Sequence, residues 1–202
     1  MQIQRIVLTL FVAALLSSCA GSRYAEGQKY ERLRDYRGED FGYVVVSVGM
    51  LKSAPYTSAS LGFVEIATGS PGSFPYAPKL LIGDRTPRDF DFPESEGTVL
   101  AKRLPPGNYE IRGASGLWFA GSYTVSKSLR LGQPLAFTIV AGQTAYLGRY
   151  VVGEDGNAVS GTASLAATDE QSRDLTIAKT RVPNLDPAEI HSFARVAKYG
   201  QP

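Results

Sequence analysis

The sequence predicts a mainly β protein: an antiparallel β-sandwich of about seven to eight strands with a short helical appendage at its C-terminus. Three observations carry that expectation. Short runs alternating apolar with polar residues recur from Gly42 onward, which is the period of strands with one buried face. The 21 glycines and 12 prolines are frequent enough to punctuate many turns. No strand–helix–strand alternation is visible, so a parallel α/β sheet is not indicated.

Four segments follow from the chain order: 1–18, 19–40, 41–167 and 168–202. Arg5 precedes an apolar run, Ile6 to Leu16, interrupted only by Thr9 and followed by Ser17 and Ser18. That is the layout of a secretory signal peptide, and the run is too short to cross a bilayer, which takes roughly 20 apolar residues. The stretch Leu16-Ser17-Ser18-Cys19 resembles the lipobox of bacterial lipoproteins. The resemblance implies cleavage before Cys19 and acylation of both its thiol and its new amino group. Stable attachment to a bilayer takes more than one fatty chain, and that modification supplies enough. Cys19 is the only cysteine, so the exported domain has no disulfide framework and must fold on its apolar core. Ala20 after the cysteine leans toward sorting to the outer membrane, facing the periplasm. The implied partners are the bilayer, through acylated Cys19, and another envelope protein or a glycan.

Ser22 to Asp40 mixes five basic with five acidic residues and has few apolar positions. It reads as a solvated tether with a reach of about 60 Å at roughly 3.3 Å per residue.

The strands follow in order. "GYVVVSVGML" from Gly42 sets Val44, Val46, Val48 and Met50 on one face. Further strands are expected at 60–67, 79–83 and 97–104, the last with Lys102 between Leu100 and Leu104. In 108–113, Tyr109 and Ile111 point in while Glu110 and Arg112 point out. The runs 117–125, 135–140 and 145–153 complete the set, and 157–166 adds one more. Pro105-Pro106-Gly107-Asn108 suits a type II turn joining 97–104 to 108–113 as a hairpin. Ala141-Gly142-Gln143 suits a second hairpin loop.

Two short helices are expected at the end. Thr168-Asp169-Glu170-Gln171 fits a capping box, with Leu175 and Ala178 apolar downstream. Asp186-Pro187-Ala188-Glu189 begins the second, whose stripe is Ile190, Phe193, Ala194 and Ala197. His191 would face water on that helix.

"VLAKRLPPGNYEIRG" followed by "FTIVAGQTAYLGRY" resembles a pattern of exported bacterial β-sandwiches, similar to prealbumin-like and carboxypeptidase-regulatory-like domains and to lipoproteins that carry them. The resemblance covers about residues 95–152. It implies a module that binds or scaffolds rather than catalyses. No functional residue carries over, because the matching positions are turn and core residues.

The chemistry-bearing residues are few. The formal charge of +2 includes Arg5 and argues against nucleic acid as a partner. With one histidine and an acylated cysteine, a His/Cys zinc site within one chain is excluded. No GxSxG elbow accompanies His191, and no GxGxxG or GxxxxGK[ST] loop calls for a nucleotide cofactor. A Ser–Lys dyad has no fixed spacing by which to be recognised. No enzyme activity and no cofactor are expected.

Two stretches are site-like. In "DRTPRDFDFPESEG", Asp89, Asp91 and Glu94, with Glu96, offer oxygen ligands for calcium, although the spacing is not that of an EF-hand and Arg85 and Arg88 sit beside them. The alternative is a solvated loop with Phe90 and Phe92 pinned to the core. The aromatics Tyr56, Phe74, Tyr76 and Trp118, if exposed, could stack on sugar faces, with Tyr56, Phe74 and Tyr76 on neighbouring loops. That leaves two readings: a non-catalytic envelope interaction module, or a glycan-binding module for peptidoglycan or surface polysaccharide.

Overall fold

A computed structural model describes residues 36–78, 86–120, 122–156, 161–185 and 190–200. The leader, Cys19 and most of the tether lie outside the described residues, as does the strand expected at 79–83.

Eleven strands and one helix are described: β1 (Gly42–Leu51), β2 (Ser58–Glu65), β3 (Pro71–Tyr76), β4 (Phe90–Asp91), β5 (Ser95–Leu104), β6 (Gly107–Ala120), β7 (Tyr123–Ile139), β8 (Thr144–Asp155), β9 (Thr162–Thr168), α1 (Gln171–Arg181), β10 (Ile190–Ser192) and β11 (Ala197–Tyr199). They form two sheets. The larger runs β11-β9-β8-β1-β5-β4, with β10 also on β8; the smaller runs β3-β2-β6-β7. The molecule is mainly β, and the sheets face each other across an apolar core as in a β-sandwich.

Alternation builds that core. Val44, Val46, Val48 and Met50 of β1 meet Leu61 and Phe63 of β2, Tyr109 and Ile111 of β6, and Phe137 and Ile139 of β7. Phe63 is the hub: its ring stacks on Phe74 at 4.5 Å and stands edge-on to Tyr109 at 6.0 Å and Phe137 at 6.2 Å. The opposite face of β1 is buried too. Val45, with Val99 and Tyr146, packs against Ala178 of α1 and Leu185. A strand covered on both faces reads as an unbroken apolar run, which explains Val44-Val45-Val46. Leu175 and Ile177 border the same contact.

Several expectations are corrected. The larger sheet is mixed, because β8 runs parallel to β1 and β10 runs parallel to β8. Neither predicted hairpin turn makes a hairpin. Pro105 and Pro106 carry the chain from β5 in one sheet to β6 in the other. Gly107 opens β6 and is not among the glycines with positive φ, so the type II geometry is absent; instead the Tyr109 hydroxyl donates to Pro105 O at 2.7 Å and braces the corner. Gly142 does take φ 76°, and Gln143 N–H bonds to Val140 O at 3.1 Å, but this turn also changes sheets, from β7 to β8. A crossing between sheets and a hairpin use the same turn chemistry; only long-range pairing separates them.

The run 117–125 is two strands, the end of β6 and the start of β7, with Ala120 paired to Tyr123. Pro71–Tyr76 is an edge strand, where proline is tolerated, and not a loop. The capping box does not form. Thr168 stays in β9, and α1 begins at Gln171 behind Glu170, which makes no side-chain cap bond. The second helix is replaced by strands over 190–192 and 197–199, while its start at 186–189 lies outside the described residues. β9 covers β8 only from Arg149 onward, and β10 takes the open edge at Thr144 to Tyr146. Backbone pairing on offer there overrides a helical side-chain period. His191 is exposed, on β10.

Candidate functional site

The sugar-stacking trio is overturned by burial. Tyr56 is 1 % exposed, and Phe74 and Tyr76 are 0 %. A ring that stacks on a sugar must offer a face, and these faces are spent on the core. Tyr56 donates to Gly153 O at 3.3 Å and lies 5.9 Å from the half-buried Trp118, over which Lys127 Nζ sits at 5.5 Å. Phe74 carries Lys102 Nζ 5.9 Å above its ring, and Lys102 also donates to Ser73 O at 3.2 Å. The charge that β5 places on its inner side is thereby absorbed at the sandwich margin.

The acidic stretch is a set of ion pairs. Asp89 accepts from Thr98 Oγ1 at 2.8 Å and Val99 N–H at 2.7 Å, and pairs with Arg181 at the end of α1. Asp91 pairs with Lys52 at 2.5 Å and Arg88 at 3.1 Å, and these two cations, Lys52 first, hold its carboxyl below the usual range. Arg88 reaches Glu96 at 3.1 Å. Glu94 is exposed. Among the described residues no three ligating side chains group to hold a metal, so the calcium reading of Asp89, Asp91 and Glu94 is not supported. Phe90 is buried as the alternative expected, whereas Phe92 is 39 % exposed.

Those two rings belong to a cluster that the sequence reading missed. Arg149 of β8 lies 4.5 Å from Phe90 and 4.6 Å from Phe92; Arg173 of α1 lies 5.1 and 5.5 Å from the same rings. Glu170 sits between the guanidiniums, 3.6 Å from Arg149 and 3.9 Å from Arg173. Arg149 also donates to Ser95 Oγ at 2.8 Å. Burial, then the neighbouring Arg173, lowers the Arg149 pKa from its ordinary value. Below the cluster Asp174, fully buried, accepts from Tyr146 Oη at 2.9 Å and from Arg173 at 2.5 Å. The Tyr146 oxygen in turn accepts from Glu170 N–H at 3.0 Å, satisfying a backbone donor at the start of α1 that no side-chain cap supplies. The cluster clamps α1 to the larger sheet, and Glu170 already fills the place of an anion between the two cations.

A bulge aims Arg149. The β1–β8 register slips between Val45–Tyr146 and Ser47–Arg149, and Gly148 sits there at φ 101°. On either side of it Leu147 and Tyr150 both face the core, which strict alternation forbids. The extra residue turns Arg149 outward. The available signal was a glycine inside a strand-like run.

The same outer face carries a groove of about 670 Å³ beyond the reach of α1, with Leu51, Val151 and Ala166 in its floor and Glu94, Asp155 and Lys198 among its lining. Gly153 keeps the floor open: a Cβ there would lie 2.7 Å from Leu51 and 2.8 Å from Ser164 Oγ.

Burial also pushes up the phenol pKa of Tyr56 and Tyr76, each to about 12, with Glu154 and Glu96 respectively adding to it. Tyr146 and Tyr150 shift the same way, again chiefly by burial. A phenol whose folded pKa exceeds its unfolded value of about 10 stabilises the fold below that pH and loses the contribution as pH rises toward the folded value. Stability is therefore expected to hold through neutral pH and to fall above pH about 10. Denaturant midpoints read beside phenolate absorbance check this; a fold equally stable well above that pH contradicts it.

Compared with family models, with curated proteins and with solved structures, the chain matches none.

Proposed function

We propose that the protein is a lipid-anchored module of the cell envelope, held at a bilayer by acylated Cys19 and contacting an envelope partner without catalysing a reaction. One observation carries the reading: the only cysteine stands directly after the apolar run Ile6 to Leu16 and the small pair Ser17-Ser18. The tether of balanced charge that follows would let the sandwich stand off the headgroups. The groove floored by Leu51, Val151 and Ala166 supports a binding role, since it combines apolar area with fixed charge in a concave surface. In this reading the outer membrane, on its periplasmic side, is the address.

Cys19→Ala tests it. The wild-type chain is expected in the membrane fraction and labelled by a fatty-acid analogue. The variant is expected unlabelled and released, since removing the thiol removes the site of modification. Equal membrane retention of an unlabelled variant refutes the anchor.

A further inference from the structure

Among the described residues, strand β7 is the longest sheet edge without a second neighbour, and its regular stretch runs from Tyr123 to Arg130. It runs 17 residues, with a register irregularity against β6 between Arg130 and Leu135, and among the described residues it is bonded to β6 alone. The other described edges are closed off in ways natural sheets use against edge pairing. β3 has prolines at two of its six positions, β4 has two residues, and β10 and β11 have three each.

The direction of the free hydrogen-bonding groups follows from one contact. Leu117 O accepts from Thr57 N–H at 2.8 Å and so faces β2. Its partner on β7, Ser126, therefore sits in a wide, non-bonded pair and turns its own N–H and C=O away from the sheet. Alternation gives the same orientation to Thr124, Ser128 and Arg130, whose side chains are all exposed. Such a row of donors and acceptors is complemented by another extended backbone.

The sequence along this edge chooses which one. Tyr123-Thr124-Val125-Ser126-Lys127-Ser128-Leu129-Arg130-Leu131 reads the same in polarity from either end. We infer that β7 pairs antiparallel with β7 of a second copy of this chain, about a two-fold axis through Lys127. That register bonds Thr124 to Arg130 and Ser126 to Ser128 of the other copy on the polar face. On the other face it sets Tyr123, 77 % exposed, opposite Leu131, and Val125 opposite Leu129. Arg130 meets a threonine and not another cation. The two Lys127 side chains meet across the axis, but each is turned inward to its own Glu154 and over its own Trp118 ring. The contact is isologous, as closed dimers require, and joins two four-stranded sheets into one of eight.

The test uses the full-length chain purified in detergent micelles. Light scattering is expected to give a dimer. Ser126→Pro removes an outward N–H and spares every β6–β7 bond; it is expected to raise the dimer dissociation constant tenfold or more with unchanged circular dichroism. Thr124→Cys combined with Arg130→Cys is expected to give a disulfide-linked dimer under mild oxidation. Bonded antiparallel partners lie about 5.5 Å apart at Cα, within disulfide range, whereas the two positions within one strand are about 20 Å apart. Each single variant, which carries the same Cys19, is expected to stay monomeric on a non-reducing gel. A monomeric mass at every concentration overturns the inference. So does equal crosslinking of the single variants, or a dimer that Ser126→Pro leaves intact.

Discussion

Asp174→Ala is expected to lower the unfolding free energy by about 3–5 kcal/mol, the cost of breaking a buried ionic network by removing one partner. Asp174 is 0 % exposed and is held by Tyr146 and Arg173. Without it the Tyr146 hydroxyl loses its acceptor and the Arg173 guanidinium loses its closest carboxylate in a low-dielectric contact. The damage extends to α1, because the same Tyr146 oxygen holds Glu170 N–H at the start of the helix. Urea unfolding followed by far-UV circular dichroism measures the loss as a shift of the midpoint. Asp174→Asn separates charge from shape: it keeps an acceptor for Tyr146 and removes the charge facing Arg173, so an intermediate loss is expected. Two variants no less stable than wild type would show that α1 is held by its apolar contacts alone.

Gly148→Ala is expected to cost about 1–3 kcal/mol, the range for a side chain forced into a sparsely populated backbone region. Gly148 sits at φ 101°, and an added Cβ would approach Thr168 O to 3.1 Å and Ala194 to 3.3 Å. Both neighbours belong to segments paired with β8, so neither yields without disturbing the sheet. Relief by removing the bulge is worse, because one residue of slip turns Arg149 into the core and Tyr150 out of it. The midpoint of unfolding reads the cost. Hydrogen exchange at Tyr146 and Arg149 localises it: faster exchange is expected there and not in β6. A variant with wild-type stability and exchange would mean that the bulge carries no strain.

How much was legible before the fold can be argued from particular residues. Alternation in 108–113 put Tyr109 and Ile111 inside, and both are buried. The two-sheet, mainly β architecture followed from the same short period. Such patterns are written in neighbouring residues, and burial of one strand face needs no knowledge of what covers it. The site was much less legible. Tyr56, Phe74 and Tyr76 stand among Ser, Pro and Gly, which reads as loop, yet their rings fill the core because β2 and β3 pair there. The Arg149–Arg173–Phe90–Phe92 cluster joins four residues across more than eighty positions, and no local spacing records that.

The sequence by itself determined the strand-rich sandwich, the inward side of its alternating strands, the first of the two C-terminal helices it suggested and the single cysteine behind an apolar run. These depend on side-chain period and counting, both local quantities. Tertiary structure alone decided that Pro105-Pro106 and Gly142 are crossings between sheets, that β8 lies parallel to β1, and that Ile190 and Ala197 join strands in place of a helix. Each of these turns on which distant backbone offers free N–H and C=O groups. A bond between residues a hundred positions apart leaves no period in the chain between them.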